Sequence, residues 1–293
     1  MGIHGRILHN GQIRDAASGE LSPGQLGLLA GWGVFTTLRV SHGALFAWER
    51  HWARLSRDAR ILNVAMPLSA ANLEADLHRL IEANGRPECT LRLAIVRNRG
   101  GMWEGPAAIG PRASDVIAMT ADSKKWNESA RLSVQPNARF AANEFVGAKT
   151  ISWAHNLTWA ERAQNAGFDE TILLNEHGRV AECTSANIFA VFGNSVATPP
   201  LTEGCLPGIT REVLLNEIRE QSLSMVERAL SLDDLYRADE VFITSTTRDL
   251  LPVREIDGHA MNRSSEVRDR LSGSFHIFVE RDIASRKPVT AVS

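Results

Sequence analysis

The 293-residue chain is short of several things, and each shortage narrows what it can be. It has three cysteines, Cys89, Cys183 and Cys205. That odd number, without metal-ligand spacing, excludes a disulfide framework and fits a reducing, cytoplasmic setting. It has almost no net charge: 32 basic residues stand against 34 acidic ones, interspersed. That leaves no basic stripe for nucleic acid and no polybasic membrane patch. No apolar run approaches the roughly 20 residues of a membrane span. The first eleven residues lack the apolar centre of a secretory signal. Arg6 stands where N-myristoylation needs Ser or Thr. There is no Gly-x-Gly-x-x-Gly, no Gly-x-Ser-x-Gly and no His-Glu-x-x-His, and Gly147-Ala148-Lys149-Thr150 lacks the Gly-Lys pair of a phosphate loop. The nine histidines show no ligand spacing; His51 and His155 read as structural hydrogen-bonding residues. Tyrosine occurs once, as Tyr236, and lysine only at Lys124, Lys125, Lys149 and Lys287.

The scarcity of lysine makes Lys149 informative. It lies in Gly147-Ala148-Lys149-Thr150-Ile151-Ser152-Trp153, a stretch with no other charge. Arginine keeps its proton, whereas a desolvated lysine becomes a nucleophilic amine, so Lys149 is a candidate for Schiff-base chemistry. A surface lysine with its stem on an apolar patch is the plainer alternative.

The length allows one large domain or two moderate ones. Asn10-Gly11 between Ile3–His9 and Gln12–Asp15 spells a hairpin. Val34–Val40, Thr90–Arg97 and Val116–Thr120 read as strands. Trp52, Leu55, Ala59 and Leu62 have helical spacing, and a second helix is expected from the N-cap Ser69 to Asn84-Gly85. The polar stretch 121–131 reads as an interdomain linker between a small domain, 1–120, and a larger one, 132–293. Beyond it, Leu132–Val134, Glu170–Leu174, Val180–Glu182, Ile188–Phe192 and Glu240–Thr244 read as strands. Asn156–Ala166, Ile209–Glu220, Leu232–Arg237 and Ser264–Leu271 read as helices. Antiparallel hairpins mixed with a few helices imply an α+β fold in both halves.

Three features follow Lys149 in order. Glu182 ends a short strand and opens a loop of small polar residues. Leu206-Pro207-Gly208-Ile209-Thr210-Arg211 turns on glycine into a helix, and Thr244-Ser245-Thr246-Thr247 closes a strand. Free N–H groups at a helix start, together with hydroxyls, make an anion cradle.

This order resembles the class IV aminotransferases, the fold-type IV pyridoxal-phosphate enzymes. That group takes in branched-chain and D-amino acid aminotransferases, (R)-amine transaminases and aminodeoxychorismate lyases. The resemblance runs through Gly33-Val34-Phe35-Thr36-Thr37, His51-x-x-Arg54-Leu55, Lys149 and Ala166-Gly167-Phe168-Asp169-Glu170. It continues through Glu182 with Asn187-Ile188-Phe189, Thr198-Pro199-Pro200, Leu206–Arg211, Ala238-Asp239-Glu240 and Thr244–Val253. It implies a two-domain fold-type IV architecture, with a small N-terminal domain and a larger one carrying a pseudo-barrel sheet. It implies pyridoxal 5'-phosphate held by Lys149 as an internal aldimine, with Glu182 facing the pyridine nitrogen. Arg54, Ile209, Thr210, Thr246 and Thr247 would hold the phosphate. It also implies a homodimer with the active site at the interface, acting on a small-molecule amino donor and an oxo-acid acceptor.

Branched-chain aminotransferases typically line their pocket with tyrosines and carry Phe-Glu-Gly-Ile-Arg. Here Phe35-Thr36-Thr37-Leu38-Arg39 replaces that strand, and the one tyrosine is remote. Phe-Thr-Thr resembles the lyases, in which a threonine of this strand lies near the cofactor. Thr37 is the candidate for that place, an ordinary strand threonine being the alternative. Arg97 and Arg99 are candidates for the substrate carboxylate. Phe35 and Trp32 are placed in the substrate pocket, and Trp103 and Trp153 are further wall candidates. The reading is a transaminase first, an aminodeoxychorismate lyase second, and a non-catalytic cofactor-binding protein third.

Overall fold

A computed structural model of the chain describes residues 2–19, 25–66, 68–98, 113–261 and 264–286. The chain divides into two compact units. One comprises Met1–Lys124, Ala148–Trp153 and Val279–Ser293; the other comprises Lys125–Gly147 and Ala154–Phe278.

In the first unit, β1 (Ile3–His9), β2 (Gln12–Asp15), β3 (Gly33–Ser41), β4 (Ala44–Leu45), β5 (Cys89–Arg97) and β6 (Ser114–Ala121) form one antiparallel sheet. The strand order is β2-β1-β6-β5-β3-β4. The expected hairpin turn is present: Asn10 and Gly11 have φ of 51° and 78°, as a type I′ turn requires, and Leu8 faces Ile13 across it. The short α1 (Leu26–Leu29) precedes β3, while α2 (Trp48–Ile61) and α3 (Ala70–Asn84) cover the sheet. The Ser69 side chain caps α3 by accepting from the Asn72 N–H, and Gly85, at φ 60°, ends it. Leu73, Leu77, Leu80 and Ile81 of α3 pack with Leu8, Leu38, Leu91 and Leu93 of the sheet. Each such buried side chain contributes about 1.5–3 kcal/mol.

The buried stripe of α2 is unusual in carrying polar groups. His51, Arg54 and Asp58 are buried alongside Trp48, Leu55 and Ala59. Buried polar groups need partners, and these define the site below. Ala47, before α2, has φ 52° and offers no side-chain cap. Its N–H instead donates to Asp282 at 2.8 Å, and Arg286 joins Asp282 to Glu49.

The second unit holds β7 (Ala130–Arg139), β8 (Glu170–Asn175), β9 (Val180–Cys183), β10 (Asn187–Phe192), β11 (Ser195–Thr198), β12 (Ser224–Glu227), β13 (Glu240–Ser245), β14 (Asp249–Ile256) and β15 (His259–Ala260). They run in the order β12-β11-β10-β13-β14-β7-β8-β9, with β15 on β14. The pairs β11/β12, β14/β7 and β7/β8 are parallel and the rest antiparallel. The helices are α4 (Ala154–Asn165), α5 (Ile209–Asn216), α6 (Leu232–Arg237) and α7 (Glu266–Arg286); the last turns of α7, from Val279, belong to the first unit. Strands β8 and β9 are buried throughout, and their polar residues Glu170, Asn175 and Glu182 have hydrogen-bond partners there.

The α+β fold is as expected, with corrections at element ends. β6 reaches Ala121 and β7 begins at Ala130, so the polar stretch between them is shorter than the 121–131 span. α7 passes through Gly273 rather than stopping at Leu271, because Phe275, Val279 and Ile283 continue its buried stripe. α5 ends at Asn216, before the expected Glu220; the Val213 carbonyl accepts from both Glu217 and Ile218 N–H groups, which closes the helix. Strands β11 and β12 are too short to show a pattern, and Pro252 disguises β14.

Candidate active site

Lys149 sits on the edge of β3. The Phe35 N–H donates to the Lys149 carbonyl at 2.9 Å, and the Ile151 N–H to the Gly33 carbonyl at 3.0 Å. The Ser152 hydroxyl donates to the Gly31 carbonyl at 2.8 Å. Gly31 must be glycine here: its φ is 65°, and a Cβ would stand 2.5 Å from the Ser152 hydroxyl. The Lys149 N–H donates to Asp58 of α2 at 3.0 Å, and Arg57 holds the other oxygen of that carboxylate. The Lys149 backbone is thus fixed on both sides. Its Nζ lies 4.6 Å from the ring centres of both Phe35 and Trp153, which meet edge to face. Trp153, expected as a pocket wall, flanks the amine.

Behind this strand, Thr36 points to α2. Its hydroxyl accepts from Arg54 Nη2 at 3.0 Å and lies 2.7 Å from His51 Nδ1. The Thr36 hydroxyl thus joins the Arg54 guanidinium to the His51 ring. Burial, reinforced by the nearby Arg54, Lys149 and Arg286 charges, pushes the His51 pKa well below its usual value. His51 is therefore a neutral spacer, in agreement with its structural reading.

The opposite face of β3 carries Phe35 and Thr37. Thr37, the threonine singled out from the sequence, faces away from the His51–Arg54 pair that Thr36 engages. It is half-buried and in register with Arg92 of β5, whose guanidinium lies 4.8 Å over Phe35. Arg97 is occupied elsewhere: it stacks 4.2 Å over Trp32 and donates to the Asn63 carbonyl at 2.6 Å. The Trp32 indole donates to the Leu62 carbonyl. Arg99 and Trp103 lie outside the described residues.

In the second unit, Glu182 is buried at the end of β9. Its Oε1 accepts from Arg139 at 3.2 and 3.3 Å, and its Oε2 from the Leu206 N–H at 3.1 Å. Arg139 also reaches Asn156, which donates to the Thr184 carbonyl. Both Glu182 oxygens are therefore oriented. Arg139 was not legible from the sequence, since nothing distinguishes it among so many arginines.

Gly208 starts α5 without a side-chain cap, so the first N–H groups of the helix have no intrahelical partner. Ile209 and Thr210 are both buried, and Thr210 Oγ1 has no hydrogen-bond partner among the described residues; nor has Thr244 Oγ1, at the end of β13. Thr246 and Thr247 follow in a half-buried turn. A Cβ on Gly208 would stand 2.0 Å from Asn187 Oδ1, so glycine admits the backbone to this corner. Orphaned buried hydroxyls beside bare N–H groups are what an anion satisfies, and these residues fit a phosphate. Among the described residues no group of His, Cys, Asp and Glu could hold a metal, and no helix is long and apolar enough to cross a membrane.

Comparison with known proteins agrees with this chemistry. The amino-transferase class IV family model matches residues 33–256. The chain is 31% identical over 273 residues to the putative branched-chain-amino-acid aminotransferase of Methanocaldococcus jannaschii, covering 92% of this chain and 95% of that one. It is 29% identical over 272 residues to the D-alanine aminotransferase of Bacillus licheniformis, covering 87% and 90%. Among solved structures, the branched-chain amino acid aminotransferase of T.th. complexed with N-(5'-phosphopyridoxyl)-L-glutamate superposes with a TM-score of 0.83 at 26% identity, covering 97% of this chain and 96% of that one. The chain belongs to the class IV aminotransferase family.

Proposed function

We propose that this enzyme moves an amino group between a small amino acid or amine and a 2-oxo acid, with Lys149 as the covalent anchor of its cofactor. The cofactor of this aminotransferase is pyridoxal 5'-phosphate. The observation that carries the reading is Lys149 itself: its backbone is fixed by β3 and Asp58 while its Nζ stands at the faces of Phe35 and Trp153.

When bound, the group supplies an aldehyde carbon that takes an amine and a ring that accepts the charge left at the substrate Cα. Lys149 Nζ takes and returns the Cα proton. Phe35 and Trp153 shield that amine from water. Glu182, oriented by Arg139 and the Leu206 N–H, stabilises a proton on the ring nitrogen. By the family resemblance Ile209, Thr210, Thr246 and Thr247 would hold the phosphate, and Arg54 is assigned the same role; Thr36 and His51 flank the Arg54 guanidinium.

Phe35 belongs to the substrate side, and Arg92 is better placed than Arg97 to take a substrate carboxylate, because the Arg97 guanidinium is committed to Trp32 and Asn63. Trp32 then serves as support for Arg97, and Arg99 remains a candidate from the sequence. The division into a small N-terminal domain, 1–120, and a large cofactor-binding domain, 132–293, is part of this proposal. The exposed Phe140, Phe145 and Leu201 support a homodimer, which light scattering measures. The three free, buried cysteines fit the cytoplasm.

The test is borohydride reduction and peptide mapping, followed by a panel of L-, D- and amine donors given without acceptor. The cofactor should be fixed on Lys149, be lost in Lys149→Ala, and turn to pyridoxamine phosphate with at least one donor. Attachment at Lys124, Lys125 or Lys287 would sink the assignment. A second reading, a lyase that releases pyruvate and 4-aminobenzoate from aminodeoxychorismate, is favoured by the position of Thr37 on the Phe35 face of β3. Pyruvate formed without any oxo acid, with no donor yielding pyridoxamine phosphate, selects it.

A further inference from the structure

Trp126 stands in the polar stretch between β6 and β7, where its neighbours on both sides are exposed, yet its side chain is half-buried and doubly engaged. Its indole Nε1–H donates to the Thr247 carbonyl at 2.8 Å. Its ring lies under the Arg248 guanidinium, 4.0 Å from the ring centre. Arg248 in turn donates from Nη2 to Glu170 Oε1 at 2.6 Å and to the Ser185 hydroxyl at 2.9 Å, and from Nη1 to the Ser185 carbonyl at 3.2 Å. The remaining capacity of Glu170 is filled by the Thr184 and Ser185 hydroxyls. Glu170 and Arg248 are both buried, so their charges depend on this full set of partners. The network therefore ties four separate pieces of the second unit together. These are the start of β8 at Glu170, the turn Ser245–Thr247 after β13, the turn Thr184–Ser185 after Glu182, and the segment entering β7. None of its members offers a group to the reaction. Each fixes backbone beside a residue read as holding the cofactor.

We propose that Trp126 and Arg248 are positioning residues: together they hold the Thr246–Thr247 turn at the height that receives a phosphate. Trp126 acts on the turn through the Thr247 carbonyl and the Arg248 guanidinium, and Arg248 acts through the Glu170 carboxylate of β8. The proposal rests on the reading of Thr246 and Thr247 as part of the phosphate cup, and the experiment separates the two.

The probe is pyridoxal 5'-phosphate titrated into the stripped enzyme and followed by its absorbance, with the melting temperature of the stripped protein measured alongside. Trp126→Phe keeps a ring over Arg248 and removes only the hydrogen bond to Thr247. It should weaken cofactor binding about 3- to 10-fold, with the melting temperature of the stripped protein unchanged. Trp126→Ala removes both contacts and should weaken it about 10- to 100-fold. The Michaelis constant for the amino donor, at saturating cofactor, should not move. Thr246→Ala with Thr247→Ala should weaken binding on its own. Added to Trp126→Phe, it should then cost less than the sum of the separate losses, because both act through one turn. Wild-type affinity in Trp126→Phe, or losses that add fully, would overturn the positioning role. Wild-type affinity in the double threonine variant would instead overturn the cup reading.

Discussion

Replacing Gly208 by alanine isolates one contact. Gly208 has φ −69° and ψ 144°, a conformation alanine adopts without strain, so the backbone itself imposes no penalty. The added Cβ would lie 2.0 Å from Asn187 Oδ1. Asn187 cannot simply retreat. Its backbone is paired with Thr244 in the β10–β13 ladder, its side chain is buried, and its Nδ2 donates to the Leu206 carbonyl at 2.8 Å. Either the amide rotates and leaves itself and the Leu206 carbonyl without partners, or the entrance to α5 lifts and moves the Ile209 and Thr210 N–H groups. Unsatisfied buried groups cost about 1–3 kcal/mol each, so the two together cost about 2–6 kcal/mol. At about 1.4 kcal/mol per tenfold, a loss taken entirely in binding corresponds to roughly 30- to 20,000-fold weaker cofactor retention. Titration of the stripped protein with pyridoxal 5'-phosphate, paired with thermal melting, apportions the loss between binding and stability. Asn187→Ala should rescue part of the defect in the double variant, because the collision is then gone. Gly273→Ala is the control: nothing lies within 4 Å of its Cβ in the middle of α7, and it should stabilise by about 0.5–1 kcal/mol. A Gly208→Ala enzyme with wild-type affinity and an unchanged melting temperature would refute the argument that Asn187 closes this corner.

Glu182→Gln should lower turnover by about two orders of magnitude, roughly 3 kcal/mol of barrier, while cofactor stays bound; turnover near wild type would contradict its role at the ring nitrogen. His51 should make the fold acid-sensitive. Its folded pKa is depressed, so below about pH 6.5 the unfolded chain binds a proton that the folded chain refuses. Stability then falls as pH drops, by at most about 1.4 kcal/mol per unit from this group, until the folded pKa is reached, and His51→Gln should flatten that part of the profile in chemical denaturation. Burial raises the Cys89 thiol to about 11 and Cys205 to about 12, and pushes Cys183 well above its usual value, with Glu170 and Glu182 adding to the shift at Cys183. Iodoacetamide at pH 8 should therefore leave the native protein unlabelled and modify all three thiols in denaturant; rapid labelling of any one in the native state would contradict that burial.

Local signals carried much of the architecture. Asn10-Gly11, Ser69 and Gly85 act through their own backbone geometry, and each is where its residue type places it. The order from Lys149 through Glu182 to Thr247 stands out in the sequence because those residue types are scarce or clustered. What failed to show depends on residues distant in sequence. Thr36 and Thr37 differ only in which side of β3 they face, and that alternation is settled by packing against His51 and Arg54 of α2. Arg139, Arg92 and Arg248 are three among many arginines, and only their partners single them out: Glu182, Phe35 and Glu170 respectively. Trp126 looked like part of an unpatterned spacer because its partners, Thr247 and Arg248, follow it by more than a hundred residues.

The path of the chain also bears on the order of assembly during synthesis. Residues 3–121 contain every strand of the first sheet, yet that unit is unfinished when they emerge. The β3 edge waits for Ala148–Trp153, the segment that brings Lys149. The start of α2 waits longer still: the carboxylate that caps Ala47 belongs to Asp282, 235 residues downstream. The contacts of Ala47 with Asp282 and of Glu49 with Arg286 span 235 and 237 residues, so they form only after the intervening chain has emerged. Until then the helix that carries His51, Arg54 and Asp58 begins with an amide that only water satisfies, and the segment with Lys149 is made before that support is complete.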